Sequence, residues 1–229
     1  MTEPLTIAID GPSGSGKSSV SKAVARRLGV GYLDTGAMYR ALTWWCLERG
    51  VDLTDADAVA AAARALPLEI GTDPGAPTVR VGGTDVTDAI RTTEVSTAVS
   101  AVATNRGVRP VLQQLQRDLM ARIAEQTGGV VAEGRDITTV VAPDARVRVL
   151  LTASEEARLR RRSAELHGAV DERAVAATRD QVVRRDLDDS TVSSFTEAAD
   201  GVVLVDTSDL DLDESVEAVL DVVAAETAE

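Results

Sequence analysis

The chain has 229 residues, of which 24 are Lys or Arg and 37 are Asp or Glu, so its formal net charge at pH 7 is −13. This acidity argues against nucleic-acid binding, where basic patches supply most of the affinity, but it allows a local basic pocket for a small anion. One cysteine, Cys46, and one histidine, His167, exclude an intramolecular disulfide and argue against a Ser-His-Asp triad or a zinc site of several histidines. No stretch approaches the ~20 apolar residues of a membrane span. We therefore expect a cytoplasmic protein that binds neither nucleic acid nor membrane.

Apolar strand-like segments alternate with helical segments along the chain. Near-continuous apolar strands between amphipathic helices are typical of a parallel sheet covered on both faces, so the predicted fold class is α/β. In chain order, the patterns predict a strand at 5–9, a helix to about 28, a strand at 30–33, helices at 37–48 and 55–65, short strands at 68–70, 78–81 and 84–86, helices at 94–103 and 108–126, strands at 129–132 and 147–151, helices at 154–166 and 171–185, a strand at 201–205 and a helix at 213–225.

Residues 11–18, Gly-Pro-Ser-Gly-Ser-Gly-Lys-Ser, match the pattern G-x-x-x-x-G-K-[ST] in full. They lie between a predicted strand and a predicted helix, which is the context that a nucleoside-triphosphate-binding loop requires. Backbone N–H groups of such a loop bind phosphate oxygens. Lys17 can reach the β- and γ-phosphates, and the Ser18 hydroxyl is placed to ligate Mg²⁺. The only asparagine, Asn105, is followed by Arg-Gly-Val rather than by the remainder of a guanine-binding N-K-x-D motif, which disfavours a GTPase switch.

Three further polar segments, 33–40, 108–109 and 133–136, stand where predicted strands end or predicted helices begin. Ligands of open α/β sheets bind along the carboxyl edge of the strands. Arginine offers a two-pronged fork for a phosphate, and a carboxylate such as Asp136 can accept from an exocyclic amine. Taken alone, an Arg-Asp pair is more often a surface salt bridge.

Together with the phosphate loop, four segments resemble the bacterial cytidylate kinases over nearly the whole chain: 33–40 (LDTGAMYR), 88–92 (DAIRT), 133–136 (EGRD) and 139–144 (TVVAPD). The resemblance implies a P-loop α/β kinase with a five-stranded parallel sheet, which uses ATP and Mg²⁺ to convert CMP or dCMP to the diphosphate. A monomer is expected. The resemblance also implies one domain with a core of 1–66, 93–153 and 186–229, a monophosphate-binding β insert at 67–92 and a lid at 154–185.

The resemblance assigns roles to individual residues. The ATP phosphates would be held by Gly11, Pro12, Ser13, Gly14, Ser15, Gly16, Lys17, Ser18 and Ser19. Thr35, Arg40 and Arg135 would surround CMP, with the two arginines at its phosphate. Ser100, Arg109 and Asp136 would bind the cytosine edge, and Arg185 and Asp189 the sugar. The catalytic cations would be Lys17, Arg158 and Arg162. For the basic helix near 158–162 and for the segment 184–190, an exposed charged surface is the alternative.

The sequence departs from the family pattern at three positions. Family members usually carry an arginine near the place of Val192, a glycine at Thr138 and a phenylalanine at Ala142. The first departure concerns the sugar side of the acceptor site. The alternatives are another small-molecule P-loop kinase, acting on UMP, AMP or shikimate, and a nucleotide-binding regulator without turnover.

Overall fold

The computed structural model of the chain describes residues 4–167 and 186–228. The predicted helix at 171–185 lies outside the described residues. The elements, in chain order, are β1 (Leu5–Asp10), α1 (Lys17–Leu28), β2 (Gly31–Asp34), α2 (Thr35–Glu48), α3 (Ala56–Arg64), β3 (Leu68–Ile70), β4 (Val79–Val81), β5 (Thr84–Asp85), a 3₁₀ turn (Ala89–Arg91), α4 (Thr93–Ala103), α5 (Arg109–Thr127), β6 (Gly129–Gly134), a π-helical turn (Ile137–Val141), β7 (Val147–Thr152), α6 (Glu155–His167), β8 (Val203–Asp206) and α7 (Leu212–Thr227).

Five parallel strands form the central sheet in the order β2-β6-β1-β7-β8. Side chains alternate along β1, so Ile7 and Ile9 pack with α1 and α7 while Ala8 packs with α2 and α5 on the opposite face. All three are fully buried, as expected for a parallel sheet between two helical layers. The predicted α/β fold is confirmed. Among the described residues, no helix has the length and apolarity needed to cross a membrane.

Three neighbouring strands end at the same level of the sheet. Asp10 at the end of β1 is in register with Gly134, and Asp34 at the end of β2 is in register with Glu133. The Asp34 side chain caps α2 by accepting a 2.9 Å hydrogen bond from the Ala37 N–H. The phosphate loop, the start of α2 and the segment after β6 therefore emerge together at the carboxyl edge.

The residues between α3 and the 3₁₀ turn form a three-stranded antiparallel sheet, β3-β4-β5. Its apolar side chains pack on α2, where Val81 of β4 joins the same buried cluster as Ala41. The Tyr32 N–H donates a 2.9 Å hydrogen bond to the Thr72 carbonyl, so this unit covers the outer edge of β2. Its assignment to monophosphate binding stays a prediction.

The π-helical turn after β6 was not predicted, because it depends on a residue far away in the chain. The buried Asp10 carboxylate accepts hydrogen bonds from the Ile137 N–H at 3.0 Å, the Thr138 N–H at 2.8 Å and the Thr138 hydroxyl at 2.6 Å. Burial raises the pKa of Asp10 to about 6, although these hydrogen bonds act in the opposite direction. Thr138, one of the departures from the family pattern, thus ties the strand before the phosphate loop to the segment after β6.

Candidate active site

The phosphate loop is tightly packed and depends on its glycines. Gly14 and Gly16 have φ angles of 78° and 86°, in the left-handed region that favours glycine. A Cβ atom on Gly14 would lie 2.5 Å from the carbonyl oxygen of Arg158 in α6. α1 begins at Lys17, so its N-terminal N–H groups face the space that the loop encloses.

A cavity of about 400 Å³, here called the loop cavity, opens over this loop. Six of the predicted loop residues line it: Ser13, Gly14, Gly16, Lys17, Ser18 and Ser19. The other three, Gly11, Pro12 and Ser15, are buried. Its remaining charged lining residues are the cations Lys22, Arg40, Arg91, Arg135 and Arg162 and the anions Asp34 and Glu133. The loop cavity is therefore locally basic, although the chain as a whole is strongly acidic.

Glu133 lies at the inner wall of the loop cavity and is 2% exposed. Its Oε2 accepts a 3.0 Å hydrogen bond from the Ser18 hydroxyl and lies 3.9 Å from Lys17 Nζ, while its Oε1 accepts a short hydrogen bond from the Tyr32 hydroxyl. Burial and then the nearby charge of Asp34 raise the pKa of Glu133, and Lys17 opposes this shift. Glu133 belongs to the sequence motif 133–136, but the sequence alone predicted no role for it.

The pair formed by Ser18 and Glu133 fits a magnesium ion. A hydroxyl and a carboxylate are oxygen ligands of the kind that this hard cation prefers. Within residues 4–167 and 186–228, no three His, Cys, Asp or Glu side chains are grouped so as to hold a metal by themselves. The donor set therefore suits an ion that is shared between the protein and nucleotide phosphates, which is the usual mode for Mg²⁺.

A second cavity of about 50 Å³, here called the small cavity, adjoins the loop cavity across Gly36, Gly134 and Arg135. Predicted acceptor residues line it, together with apolar groups of α2 and α4: Thr35, Tyr39, Val99, Ala103, Arg109, Arg135 and Asp189. The Thr35 hydroxyl donates a 2.7 Å hydrogen bond to the Glu133 carbonyl, which joins the start of α2 to β6. Ser100 lies on α4 beside Val99, a lining residue.

Arg109 and Asp136 form an ion pair at 2.7 Å next to the small cavity. Arg109 also donates to the Ala103 carbonyl at the end of α4, at 3.2 Å. Gln113, which sequence reasoning missed, donates a 2.7 Å hydrogen bond to the same oxygen of Asp136, Oδ2. Within the described part of the chain, the other oxygen, Oδ1, accepts no hydrogen bond; Asp136 is 5% exposed and lies behind Arg109 rather than among the residues that line either cavity.

Arg135 is held from three sides at the boundary between the two cavities. Its Nε lies 2.8 Å from Asp189 Oδ2, its Nη1 donates to Asp186 Oδ1 at 2.8 Å, and its guanidinium lies over the Phe195 ring at 4.5 Å. Asp186 and Phe195 were not predicted. The nearby chain segment carries Val192, whose N–H donates to the Asp189 carbonyl at 3.2 Å.

The predicted basic residues of α6 have different surroundings. Arg158 Nη1 donates to Asp186 Oδ2 at 2.5 Å and to the Ser13 carbonyl at 3.0 Å. Arg162 lines the loop cavity. Arg161 donates to the main-chain carbonyls of Thr207 and Leu210 and, at 3.3 Å, to that of Ser15, so it joins α6 to the loop after β8 and to the phosphate loop.

Two predicted acceptor residues remain. The buried Arg40 donates to the Ser96 hydroxyl at 2.7 Å and to the Ile90 carbonyl at 3.2 Å, so its guanidinium is anchored where it lines the loop cavity. Arg185 lies outside the described residues.

A glycine-rich loop that lies between a parallel strand and a helix and ends in Lys17 and Ser18 defines a P-loop nucleotide-binding protein. The cytidylate kinase family model matches residues 7–225, and the chain belongs to that family. It is 52% identical over 225 residues to a cytidylate kinase of Streptomyces avermitilis, covering 98% of this chain and 94% of that protein. It is 50% identical over 224 residues to a cytidylate kinase of Cutibacterium acnes, covering 97% of each.

Among solved structures, the shikimate kinase from Acinetobacter baumannii in complex with shikimate aligns over 100% of this chain and 97% of its own, with 17% identity and a TM-score of 0.45.

Proposed function

We propose that the protein transfers the γ-phosphoryl group of ATP to CMP or dCMP, giving ADP and the cytidine diphosphate. The observation that carries this proposal is the 2.7 Å ion pair between Arg109, which lines the small cavity, and the largely buried Asp136. Its position next to a complete phosphate loop, in a chain of the cytidylate kinase family, supports a nucleotide acceptor. The names of the relatives support cytidylate as that acceptor.

On the donor side, the loop N–H groups and the N-terminus of α1 would bind the ATP phosphates. Lys17, Arg158 and Arg162 would offset negative charge on the transferred group as the bond to the leaving oxygen breaks. Ser18 and Glu133 would hold the Mg²⁺ that accompanies ATP, and this ion supplies charge neutralisation across the phosphates.

On the acceptor side, the cytosine amine would donate to Asp136 Oδ1, and Arg109 would donate to the acceptor atoms of the same base edge. A uracil presents a carbonyl oxygen in place of that amine. In UMP this oxygen would face the Asp136 carboxylate, and two hydrogen-bond acceptors repel each other. Arg40 and Arg135 would bind the acceptor phosphate and Asp189 the sugar. Ser100 and Arg185 keep their predicted roles at the base and the sugar.

Phosphoryl transfer in this site requires positioning of the substrates and electrostatic stabilisation rather than a covalent intermediate. The acceptor phosphate is already an anion near neutral pH, because its second pKa is about 6, so no protein base is needed. We propose that the enzyme acts as a monomer. We place the enzyme in the cytoplasm, where its nucleotide substrates are found.

The test is the rate of ADP formation from ATP with CMP, dCMP, UMP, AMP or shikimate as acceptor. We expect kcat/KM for CMP to exceed that for UMP by at least about 100-fold, because a site built for a polar edge strongly rejects a mismatched one. Preference for another acceptor would replace the proposal by a different kinase activity. ADP formation with none of them would support a regulator that binds nucleotide without turnover.

A further inference from the structure

Asp186 is a charged residue in the active site that the proposed reaction does not use. Its Oδ1 accepts hydrogen bonds from the Ser13 N–H at 3.1 Å and from Arg135 at 2.8 Å. Its Oδ2 accepts one from Arg158 at 2.5 Å. The side chain is 14% exposed, so this carboxylate is largely enclosed by its three donors.

These donors come from three separate parts of the site. Ser13 belongs to the phosphate loop, Arg158 belongs to α6 on the donor side, and Arg135 directly follows β6 on the acceptor side. A loop N–H and two guanidinium groups are also the donors that proteins use to bind phosphate. Asp186 therefore occupies donors that a nucleotide phosphate would require.

If the Asp186 side chain moves away, Arg135 and Arg158 each keep other contacts that hold them in the site. Arg135 keeps its 2.8 Å contact with Asp189 and its stacking on Phe195. Arg158 keeps its 3.0 Å hydrogen bond to the Ser13 carbonyl. When the Asp186 carboxylate is in place, it also separates two like charges that would otherwise repel each other.

We propose that Asp186 is a positioning residue that serves as an internal anion. It holds Arg135 and Arg158 at the phosphate loop before nucleotide binds, and nucleotide phosphates displace it. This inference rests on the proposed function, since it assigns the two arginines to the two substrates. Removing the charge of Asp186 has two opposite consequences: phosphate binds more tightly because a competitor is gone, and transfer slows because the arginines are less well placed.

The test compares Asp186→Asn with Asp188→Asn, which removes the same charge two residues away. Binding of ATP and of inorganic triphosphate is measured by calorimetry without acceptor, and kcat is measured with ATP and CMP. For Asp186→Asn we expect both ligands to bind about threefold to tenfold more tightly, the range for one ordinary hydrogen bond, and kcat to fall. Asp188→Asn is expected to match the wild type in both.

Unchanged or weaker triphosphate binding by Asp186→Asn would overturn the proposal, as would an equal gain in Asp188→Asn, which indicates a general charge effect. Asp186→Ala carries the same expectation and serves if the asparagine variant does not fold. Asp186→Glu retains the anion and is expected to keep wild-type affinity for ATP. If Asp186→Asn binds triphosphate more tightly but the wild-type protein forms no CDP, the role of Asp186 as an internal anion is supported and the proposed kinase function is rejected.

Discussion

The Ser18 hydroxyl donates a 3.0 Å hydrogen bond to the carboxylate of Glu133, 115 residues further along the chain. The two meet because β1, which leads into the phosphate loop, pairs with β6, which ends at Gly134. Tyr32 on β2 reaches the other oxygen of the same carboxylate. Three adjacent strands thus fix one buried acidic group beside the predicted magnesium ligand.

Glu133→Gln tests whether this carboxylate helps to hold Mg²⁺. We expect the Mg²⁺ concentration needed for half-maximal activity to rise by about 10- to 100-fold, the usual effect of losing a group that supports a bound metal. Titration of activity with Mg²⁺ at fixed ATP measures it. Glu69→Gln, an exposed change in β3, is the control. An unchanged Mg²⁺ requirement in Glu133→Gln would remove this residue from the metal site.

Asp136→Ala tests base selection. Because the variant loses the acceptor for the cytosine amine, kcat/KM should fall about 100-fold more for CMP than for UMP. The measurement is steady-state kinetics with each acceptor in turn. An unchanged CMP:UMP ratio would place Asp136 outside the base site.

Gln113→Leu removes one of the two donors that orient Asp136. We expect kcat/KM for CMP alone to fall roughly tenfold, less than in Asp136→Ala, because one hydrogen bond to a charged group is lost. The matched control is Gln114→Leu, since Gln114 binds the exposed Asp118 instead. Equal losses in both variants would assign the effect to α5 rather than to Asp136.

Some residues of the site could be predicted from the sequence and others could not, and the difference has a physical reason. The phosphate loop is local, since its glycines, Lys17 and Ser18 are consecutive, and the pattern alone predicted it. The resemblance brought in Arg109 and Asp136. Gln113 escaped because its contact with Asp136 spans 23 residues and requires α5 to lie against the end of β6.

Asp186 escaped for a similar reason, since its contact with Ser13 spans 173 residues. The resemblance assigned a role to Asp189 in this charged segment, but nothing in the segment distinguishes Asp186 from Asp188. The π-helical turn at 137–141 depends on the buried Asp10, whose role becomes visible only when β1 and β6 are paired. Residues joined by tertiary contacts alone leave no periodic pattern in the sequence.

Val192→Arg tests the departure from the family pattern. Val192 follows Asp189 in the same turn, so an arginine there would add positive charge on the acceptor side. We expect kcat/KM for CMP to rise by about tenfold to hundredfold, the value of a charge-assisted contact, with little change in KM for ATP. Thr191→Arg, at the exposed neighbouring position, is the control. No gain, or a gain confined to ATP, would mean that position 192 does not face the acceptor.

Asp10→Asn tests the buried link between β1 and the π-helical turn. The pKa of Asp10 is raised by burial to about 6, whereas an aspartate in an unfolded chain titrates near 4. The folded protein therefore binds the proton of the Asp10 carboxyl more tightly than the unfolded chain does. The stability that this protonation contributes is complete below about pH 4 and is lost as the pH rises through about 6. A pKa difference of this size corresponds to roughly 3 kcal/mol.

Urea unfolding of the wild type and Asp10→Asn across this pH range isolates the contribution, because the other titrating groups are shared. The free energy of unfolding of the wild type, minus that of the variant, is expected to decrease as the pH rises from about 4 to about 7. A difference that stays constant or increases would show that the carboxylate is not destabilised by burial.

Direct observation of the products by ³¹P NMR, with ATP, CMP and Mg²⁺, tests the central claim. For the wild type we predict that CDP and ADP appear in equal amounts. In Lys17→Ala both should form about 100- to 1000-fold more slowly in a protein that remains folded, by analogy with the loss of one oxyanion-hole donor. ADP without CDP, no reaction with CMP, or wild-type rates in Lys17→Ala would contradict phosphoryl transfer to cytidylate at this site.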